Sequence, residues 1–393
     1  MSPQEHPSPD ATVGAARQEH EEERNEGRFR PAFAEGAQPS EVVRAPRDKS
    51  QPPRIAVDVM GGDFGPSVVV PGALRGAREC GCKLLLVGRT DFIEQELAKE
   101  DVSGIKYEIV HAQEVAEMHE KPSEILRRKK NSSIQVACRL VRDGLADGLI
   151  SPGHSGATVA CAMFIIGRIP GVDRLGLASV FPSEKEGTII LDVGANVDCR
   201  PHHLFQFGLM GSSLAQTVLG RTSPQVGILS IGEEEGKGNS LVKDAYDLLK
   251  MAQNLNFVGN VEGRDVFTGD VDVVVCDGFV GNVVLKLSEG LGSSLSRMLK
   301  KALFSTLMAK MGTLLAKGAL QRFAKFLDYA EYGGAHLLGL KGVALVCHGK
   351  SNAKAIGSAV KMASTFVEKD TNSLLVSALS ANEELTLYSK AVK

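Results

Sequence analysis

The fold is decided by the stretch Arg54-Ile55-Ala56-Val57-Asp58-Val59-Met60-Gly61-Gly62-Asp63-Phe64-Gly65-Pro66. Its apolar first half predicts a buried parallel strand. The strand ends at Gly61 and Gly62, which have no Cβ and therefore allow a sharp turn or the close approach of a ligand. Pro66 suits the first position of a helix. This succession indicates either an anion site, because free N–H groups and the helix dipole point outward there, or a plain turn without a ligand.

The composition of the 393 residues predicts a soluble globular α/β protein with an ample core, since 43% are hydrophobic and 42 are glycine. The formal net charge of −2 creates no overall basic field, so we expect no nucleic-acid partner. Of the seven cysteines only Cys80 and Cys82 are close in sequence, with no second pair to complete a zinc site. We expect reduced core thiols, as in a cytosolic protein.

The first 53 residues differ in character from the rest of the chain. They hold eight of the 16 prolines and the acidic run 21–23, with few apolar residues and no periodicity. Such a segment cannot offset its ordering entropy by burial, and it lacks the apolar core of a signal peptide. We therefore expect a disordered extension over 1–53 and a folded domain over 54–393.

From Arg54 onward, apolar runs alternate with helical segments. This alternation predicts a three-layer α/β/α fold with a mostly parallel sheet. The predicted strands cover residues 55–59, 83–88, 105–110, 147–150, 188–191, 226–231, 271–276 and 343–347.

Five of these strands are followed by glycine together with polar residues. The five segments are 58–63, 151–156, 192–196, 232–239 and 277–282. Ligands of open α/β sheets bind at the carboxyl ends of strands, so we expect the five segments to line one shared cleft. Asp192 and Asp198 could hold a divalent metal, but no histidine accompanies them at ligand spacing, and we expect no metal.

The segment 291–327 is basic and amphipathic, with no acidic residue. Leu295 and Leu299 fall on the apolar face of a first helix. After a break near 304–306, a second helix carries cations such as Lys310 and Lys317. The segment has no apolar run of the ~20 residues that a bilayer requires. It predicts a protruding helical hairpin that either lies on anionic lipid or forms a dimer interface or core pair.

Several motifs resemble the acyl-ACP:phosphate acyltransferase (PlsX) family. They are the opening Ala56–Pro66 stretch, the turn Gly232-Glu-Glu-Glu-Gly-Lys-Gly-Asn239 and the run that begins Tyr332-Gly-Gly-Ala335. The likeness extends from Arg54 nearly to the C-terminus. The chain departs from the family pattern at Pro152, His154, Ser155, His336 and Lys350. The histidine at position 154 keeps a polar donor but adds a titratable group, although a lone histidine in a turn is often only solvated.

The resemblance implies a fold like that of phosphotransacetylases and isocitrate-type dehydrogenases. It also implies a reaction that converts fatty acyl-ACP and inorganic phosphate to acyl phosphate and ACP, without a cofactor, for phospholipid synthesis. The expected protein is a cytoplasmic homodimer that associates peripherally with the inner face of the cell membrane. Its expected partners are acyl carrier protein, the anionic membrane surface and an integral-membrane glycerol-phosphate acyltransferase.

That reaction needs a phosphate cradle, donors for an oxyanion and little else. The candidate cradle residues are Gly61, Gly62, Ser151, Gly153, His154, Ser155 and Gly156. Lys121 or Lys237 would supply charge. Asn196 and Asn239 are candidate donors to the oxyanion, and Asp58 or Asp277 would position a lysine or manage the thiol proton.

Two other functions remain open. One is a phosphotransacetylase-like enzyme that uses a short acyl-CoA. The other is a non-catalytic scaffold that recruits lipid enzymes to the membrane through residues 291–327. The glycine-rich strand ends argue against the scaffold, because a scaffold has no need of an anion-binding cleft.

Overall fold

The computed structural model describes residues 48–326 and 334–391. Its eleven strands form one sheet. The strands are β1 Arg54–Asp58, β2 Lys83–Gly88, β3 Tyr107–His111, β4 Gly148–Ser151, β5 Gly176–Phe181, β6 Thr188–Leu191, β7 Gln225–Leu229, β8 Asn256–Val261, β9 Val273–Val275, β10 Ala335–Leu338 and β11 Val343–Val346. All eight predicted strands are present within two residues of their predicted ends, and β5, β8 and β10 are additional.

Helices cover both faces of the sheet. They are α1 Pro66–Cys80, α2 Thr90–Leu97, α3 Pro122–Arg128, α4 Ser133–Arg142, α5 Ser155–Cys161, α6 Pro201–Val218, α7 Ser240–Met251, α8 Asp265–Thr268, α9 Gly278–Leu303, α10 Leu307–Leu315, α11 Lys317–Phe326, α12 Ala353–Lys369, α13 Thr371–Ala381 and α14 Glu383–Ala391. A π-helical turn, Ala162–Ile166, continues α5.

Strand β1 shows why the fold has three layers. Ile55 and Val57 pack into one hydrophobic cluster, whereas Ala56 packs into another. Successive side chains of a strand point to opposite faces of the sheet, so the two clusters lie on opposite faces. A strand that is buried on both faces has a continuous apolar sequence, and the predicted α/β/α architecture is confirmed.

The strand order is β3-β2-β1-β4-β11-β10-β5-β6-β9-β7-β8. Strands β1 to β4 and β11 are mutually parallel, and so are β6 to β9. Between these two groups, β10 pairs antiparallel with both β11 and β5, and β5 pairs antiparallel with β6. Three reversals in succession leave the two parallel groups running in opposite directions. Their carboxyl ends therefore lie at opposite edges of the sheet.

The basic segment differs in detail from the predicted hairpin. Its first helix, α9, begins at Gly278 rather than near residue 291. The predicted break at 304–306 is present, but two helices, α10 and α11, follow it instead of one. A hairpin of two helices is thus not confirmed, and residue 327 lies outside the described residues. No described helix has both the length and the apolar character needed to cross a membrane.

The predicted extension 1–53 lies mostly outside the described residues, which begin at residue 48. At its end, however, Pro53 is buried and its carbonyl accepts a hydrogen bond of 2.8 Å from Lys83 N. Pro53 therefore belongs to the folded body, one residue before the predicted boundary.

Candidate active site

The glycine-containing strand ends divide into two groups. Segments 58–63 and 151–156 follow β1 and β4, and the turn 348–351 follows β11 beside them. We call these three loops the first edge. Segments 192–196, 232–239 and 277–282 follow β6, β7 and β9, and we call them the second edge. The expectation that all five predicted segments share one cleft is wrong, because the antiparallel strands β10 and β5 place the two groups at opposite edges.

At the first edge, Asp58 is the centre of a buried hydrogen-bond network. Its Oδ2 accepts from Ser151 Oγ at 2.7 Å, and Ser151 Oγ accepts from Gly153 N and Thr158 Oγ1, each at 3.2 Å. Burial raises the pKa of Asp58, while hydrogen bonds, first from Ser133 and then from Ser151, oppose the rise. Thr158 was not among the predicted site residues, although it lies only two residues after the 151–156 motif.

The glycines of the first edge allow three loops to interlock. A Cβ on Gly61 would lie 2.6 Å from Gly153 N. Gly62 has a φ of 81°, and a Cβ there would lie 3.1 Å from Gly349 O. Asp63 N donates to the same carbonyl at 2.8 Å. Such close backbone contacts leave no room for a side chain, so these glycines serve the packing of the loops.

The other predicted first-edge residues, His154, Ser155 and Gly156, are half-buried or exposed. His154 caps α5, and its Nδ1 accepts from Ala157 N at 3.2 Å. Ser155 and Gly156 are exposed at the start of that helix. Exposed Lys121 precedes Pro122, whose Cγ lies 3.1 Å from the position of a Cβ on Gly156. The structure thus brings Lys121 beside the 154–156 turn, while Ser151 and Gly153 are buried and bonded within the protein.

At the second edge, Asp192 organises the loop that follows β6. It is fully buried, and its Oδ1 accepts from Leu177 N, Gly194 N and Ala195 N at 3.0–3.1 Å. Its Oδ2 accepts from Asn196 N at 2.7 Å. Burial raises the pKa of Asp192, and these donors oppose the rise. The carboxylate therefore holds the loop in place.

Asn196 is less suited to the role predicted for it. Its Nδ2 donates to Asp192 Oδ2 at 2.8 Å and to Leu175 O at 2.7 Å. An amide nitrogen carries two hydrogens, and both are engaged inside the loop. Asn196 therefore positions the loop and does not offer a donor to an oxyanion.

The loop after β9 packs closely against the loop after β6. Asp277 Oδ1 caps α9 by accepting from Phe279 N and Val280 N at 3.0 Å each. A Cβ on Gly281 would overlap the Asp192 carbonyl oxygen. Exposed Asn282, in the first turns of α9, lies 3.5 Å through its Oδ1 from the position of a Cβ on Gly194. The 277–282 motif contains Asn282, but sequence reasoning did not select it.

The third loop of the second edge, 230–239, presents an exposed lysine. Lys237 packs its stem against Gly232, with Cγ 3.2 Å from the position of a Cβ there, and its side chain is exposed. Asn239 Oδ1 caps α7 by accepting from Val242 N at 2.9 Å, which leaves its amide nitrogen on the exposed side. Asn260, in β8, stabilises the loop because its Nδ2 donates to Glu234 O at 2.8 Å.

The alternative of a metal at Asp192 and Asp198 finds little support in the geometry. Asp192 already accepts five protein hydrogen bonds, whereas Asp198 is exposed. Among the described residues, no group of three or more histidine, cysteine, aspartate or glutamate side chains is placed to hold a metal ion.

Solved structures with a similar fold include phosphotransacetylases. The chain aligns with a phosphotransacetylase from Streptococcus pyogenes with a TM-score of 0.57 and 18% identity, over 81% of this chain and 95% of the other. A phosphotransacetylase from Staphylococcus aureus aligns with a TM-score of 0.54 and 18% identity, over 80% and 94%. The predicted similarity of fold to phosphotransacetylases is confirmed.

Sequence comparison is more specific. The model of the family described as "Fatty acid synthesis protein" matches residues 53–374. A protein named phosphate acyltransferase from Nitratidesulfovibrio vulgaris is 68% identical over 339 residues, which cover 86% of this chain and 98% of the relative. Its namesake from Lawsonia intracellularis is 65% identical over 335 residues, or 85% and 96%. On this similarity across nearly the whole length of its relatives, the chain belongs to the acyl-ACP:phosphate acyltransferase (PlsX) family.

Proposed function

We propose that this protein transfers a fatty acyl group from acyl carrier protein to inorganic phosphate. The observation that carries this proposal is the 68% identity to a phosphate acyltransferase over 98% of that protein's length. A phosphate oxygen attacks the thioester carbonyl, an oxyanion forms, and the phosphopantetheine thiolate leaves. The products are acyl phosphate and free carrier protein. A thiolate is a good leaving group, so this route requires neither a covalent intermediate nor a cofactor.

The second edge is the better candidate for the reacting groups. Exposed Lys237 offsets the charge of phosphate, and the exposed amides of Asn239 and Asn282 supply donors for phosphate oxygens or the oxyanion. The buried Asp192 network fixes the loop that packs against the start of α9, beside Asn282, and this limits reorganisation during the reaction. Half-buried Asp277 would orient a lysine. Asp58, by contrast, is enclosed at the other edge and acts through Ser151 on loop geometry.

A substitution series tests this placement. Lys237→Ala should lower kcat/KM for acyl-ACP by about 100-fold, the scale on which one electrostatic contact to a transition state acts. Lys243→Ala removes an exposed lysine from α7, the helix that follows the Lys237 loop, and should stay within about two-fold of wild type.

The predicted first-edge cradle is tested in the same assay with Ser155→Ala. This serine is exposed, so its loss should not disturb the buried network. If Ser155→Ala abolishes turnover while Lys237→Ala is nearly neutral, phosphate is bound at the first edge and the second-edge assignment fails.

The donor substrate separates this proposal from its closest rival. Purified protein should consume palmitoyl-ACP in preference to palmitoyl-CoA, and acetyl-CoA should be the poorest substrate. A preference for acetyl-CoA would identify a phosphotransacetylase-like enzyme. The absence of turnover with every donor would instead favour the scaffold.

Peripheral association with the inner face of the cell membrane is the second part of the proposal. Large apolar side chains on α9 to α11 are 43–89% exposed: Leu287, Leu291, Leu295, Met298, Leu299, Leu307, Met308, Met311, Leu314, Leu315 and Phe323. Exposed Lys300, Lys301, Lys310 and Lys317 lie on the same helices. Apolar side chains interleaved with cations suit an anionic lipid surface. There an amphiphilic acyl phosphate would pass directly to a membrane glycerol-phosphate acyltransferase.

A homodimer interface is the competing use of the same helices. Contiguous apolar surface of this extent also marks protein–protein contacts. Leu295 and Leu299 would then pack against a second copy, and the cations would lie at the rim. Both uses are compatible if a dimer places the far end of the segment, with Lys310 and Lys317, towards lipid.

A further inference from the structure

One pair of thiols lies outside both edges. Cys80 is the last residue of α1, Gly81 caps the helix, and Cys82 leads into β2. Gly81 adopts a left-handed conformation, with φ 70° and ψ 13°, and its N–H donates to Ala77 O. The tight turn places the two thiols beside each other. Ser364 also bonds to Cys80.

The two thiols differ in chemistry. Cys82 is 2% exposed, and its pKa is raised, first by the contact with Cys80. Cys80 is half-buried, and the hydrogen bond with Cys82 lowers its pKa to about 6, although Glu368 opposes the shift. The pKa values of Cys138, Cys161, Cys199, Cys276 and Cys347 are raised, mainly by burial. Cys80 is the more exposed of the two thiols and has the lower pKa, so a reagent in solution meets it first, and Cys82 is the neighbouring thiol that can resolve an adduct.

The turn is accessible from solvent. A Cβ on Gly81 would meet no atom within 4 Å. Gly81 also lines a surface depression of about 550 Å³, together with Lys49, Lys106 and Glu368. The two lysines, both exposed, favour a small reagent that carries carboxylates.

We propose that Cys80 and Cys82 form a redox pair that a carboxylate-bearing low-molecular-weight disulfide oxidises to an intramolecular disulfide. The Cys80 thiolate attacks one sulfur of the reagent, and the other sulfur leaves as a thiolate that takes up a proton. Cys82 then loses its proton and attacks Cys80 Sγ, which releases the second half of the reagent as a thiol. Two protein thiols are oxidised and one external disulfide is reduced to two thiols, so atoms and electrons balance.

The test uses the full chain and oxidised glutathione at pH 7. After denaturation and alkylation of the remaining thiols, mass spectrometry should show that Cys80 and Cys82 escape alkylation together. The peptide that contains both should be lighter by two hydrogen atoms, while the other five cysteines are alkylated. With native protein, iodoacetamide should label Cys80 at least ~10-fold faster than half-buried Cys199. Equal rates of iodoacetamide labelling at Cys80 and Cys199 would overturn the proposal. So would alkylation of Cys80 and Cys82 after treatment with oxidised glutathione.

Two variants separate the roles of the two thiols. Cys82→Ser should stop at a mixed disulfide between Cys80 and glutathione, whereas Cys80→Ser should gain no glutathione. A mixed disulfide on Cys82 in the second variant would refute the assignment of the nucleophile. In the wild type, oxidised glutathione should react faster than the neutral bis(2-hydroxyethyl) disulfide, and Lys106→Gln should reduce that difference. Equal rates in the wild type would refute the preference for carboxylates.

Discussion

At the scale of single residues, two buried carboxylates organise the two edges of the sheet. Asp58 and Asp192 each end or directly follow a strand, and each is almost inaccessible to water. A buried carboxylate is costly unless hydrogen bonds satisfy it. Ser151 Oγ, at the end of β4, donates to one oxygen of Asp58, and backbone N–H groups of its own loop donate to Asp192. Their role is to set loop geometry, and we propose that the reacting groups are exposed residues such as Lys237.

His336 is a buried residue with no such compensation. It is 1% exposed, its ring lies 4.7 Å from that of Phe366, and neither ring nitrogen has a hydrogen-bond partner within the described residues. Burial lowers its pKa to about 3. The folded protein therefore binds fewer protons at this site than the unfolded chain, whose histidine titrates near 6.5. The free energy of unfolding must fall as the pH drops from about 6.5 towards 3.

We predict that His336→Leu removes this part of the pH dependence. From pH 7 to pH 5, the free energy of unfolding of the wild type should fall by ~2 kcal/mol more than that of the variant. Urea denaturation at both pH values measures the difference. His119→Leu, at an exposed position, is the matched control and should keep the wild-type pH dependence. If the free energy of unfolding falls equally in the wild type and in His336→Leu, the ring is protonated without cost in the folded protein.

At the scale of elements, α9 and α10 bury very few of their residues. No residue of α10 is buried, and α9 buries only Gly278 and Gly281, at its start. Most helical stability in proteins comes from packing of an amphipathic face. We therefore expect these helices to pack against a second surface, which is either lipid or another protein chain.

We predict that Lys310→Glu/Lys317→Glu weakens binding to anionic vesicles. Each cation near such a surface contributes ~1 kcal/mol, so the loss of two should reduce the partition coefficient by about 30-fold or more. Wild-type binding should itself weaken as salt is added, because salt screens surface charge. Turnover of soluble acyl-ACP should be largely kept. Vesicle sedimentation at several salt concentrations and a parallel kinetic assay measure both effects.

The control for that experiment is Lys243→Glu/Lys341→Glu, which changes the net charge equally at exposed sites outside α9 to α11. It should bind vesicles nearly as well as the wild type. If the Lys310/Lys317 variant instead dissociates a dimer, loses turnover and still binds vesicles normally, the segment is a subunit interface and the lipid proposal fails.

At the scale of the whole molecule, Pro53 already belongs to the folded body. The family model begins at residue 53, and Pro53 O pairs with Lys83 N. We predict that a chain starting at Gln51 keeps the melting temperature and the activity of the full protein, because residues 1–50 have no apolar pattern with which to dock. Thermal unfolding of the two chains measures this. A melting temperature several degrees lower would show that the removed segment packs on the body.

A slightly shorter chain provides the contrast. Starting at Ile55 removes Arg54, which donates through Nε and a terminal nitrogen to the two oxygens of Asp147, at 3.1 and 2.9 Å. Asp147 is 3% exposed. Loss of an ion-pair partner from a buried carboxylate is strongly destabilising, so this chain should melt well below the one that starts at Gln51.

The sequence by itself determined what local pattern controls. The strand, the glycine turn and the helix start at Pro66 are present as predicted. The spacing of apolar residues, the absence of a Cβ on glycine and the fixed φ of proline each act within a few residues. Family membership was readable for a similar reason, since the motifs at 56–66 and 232–239 are contiguous. The recruitment of both Asn196 amide hydrogens by Asp192 and Leu175 was not readable, because Leu175 lies 21 residues away.

Only the tertiary structure decided which strand ends meet. The amino acids of a strand favour its burial, but they do not determine whether the neighbouring strand is parallel or antiparallel to it. Here that choice is made by β5 and β10, two strands that sequence reasoning did not predict, and β10 joins β5 from more than 150 residues along the chain. Their antiparallel pairing reverses half of the sheet, so Asp58 and Ser151 lie at one edge and Asp192, Lys237 and Asn282 at the other.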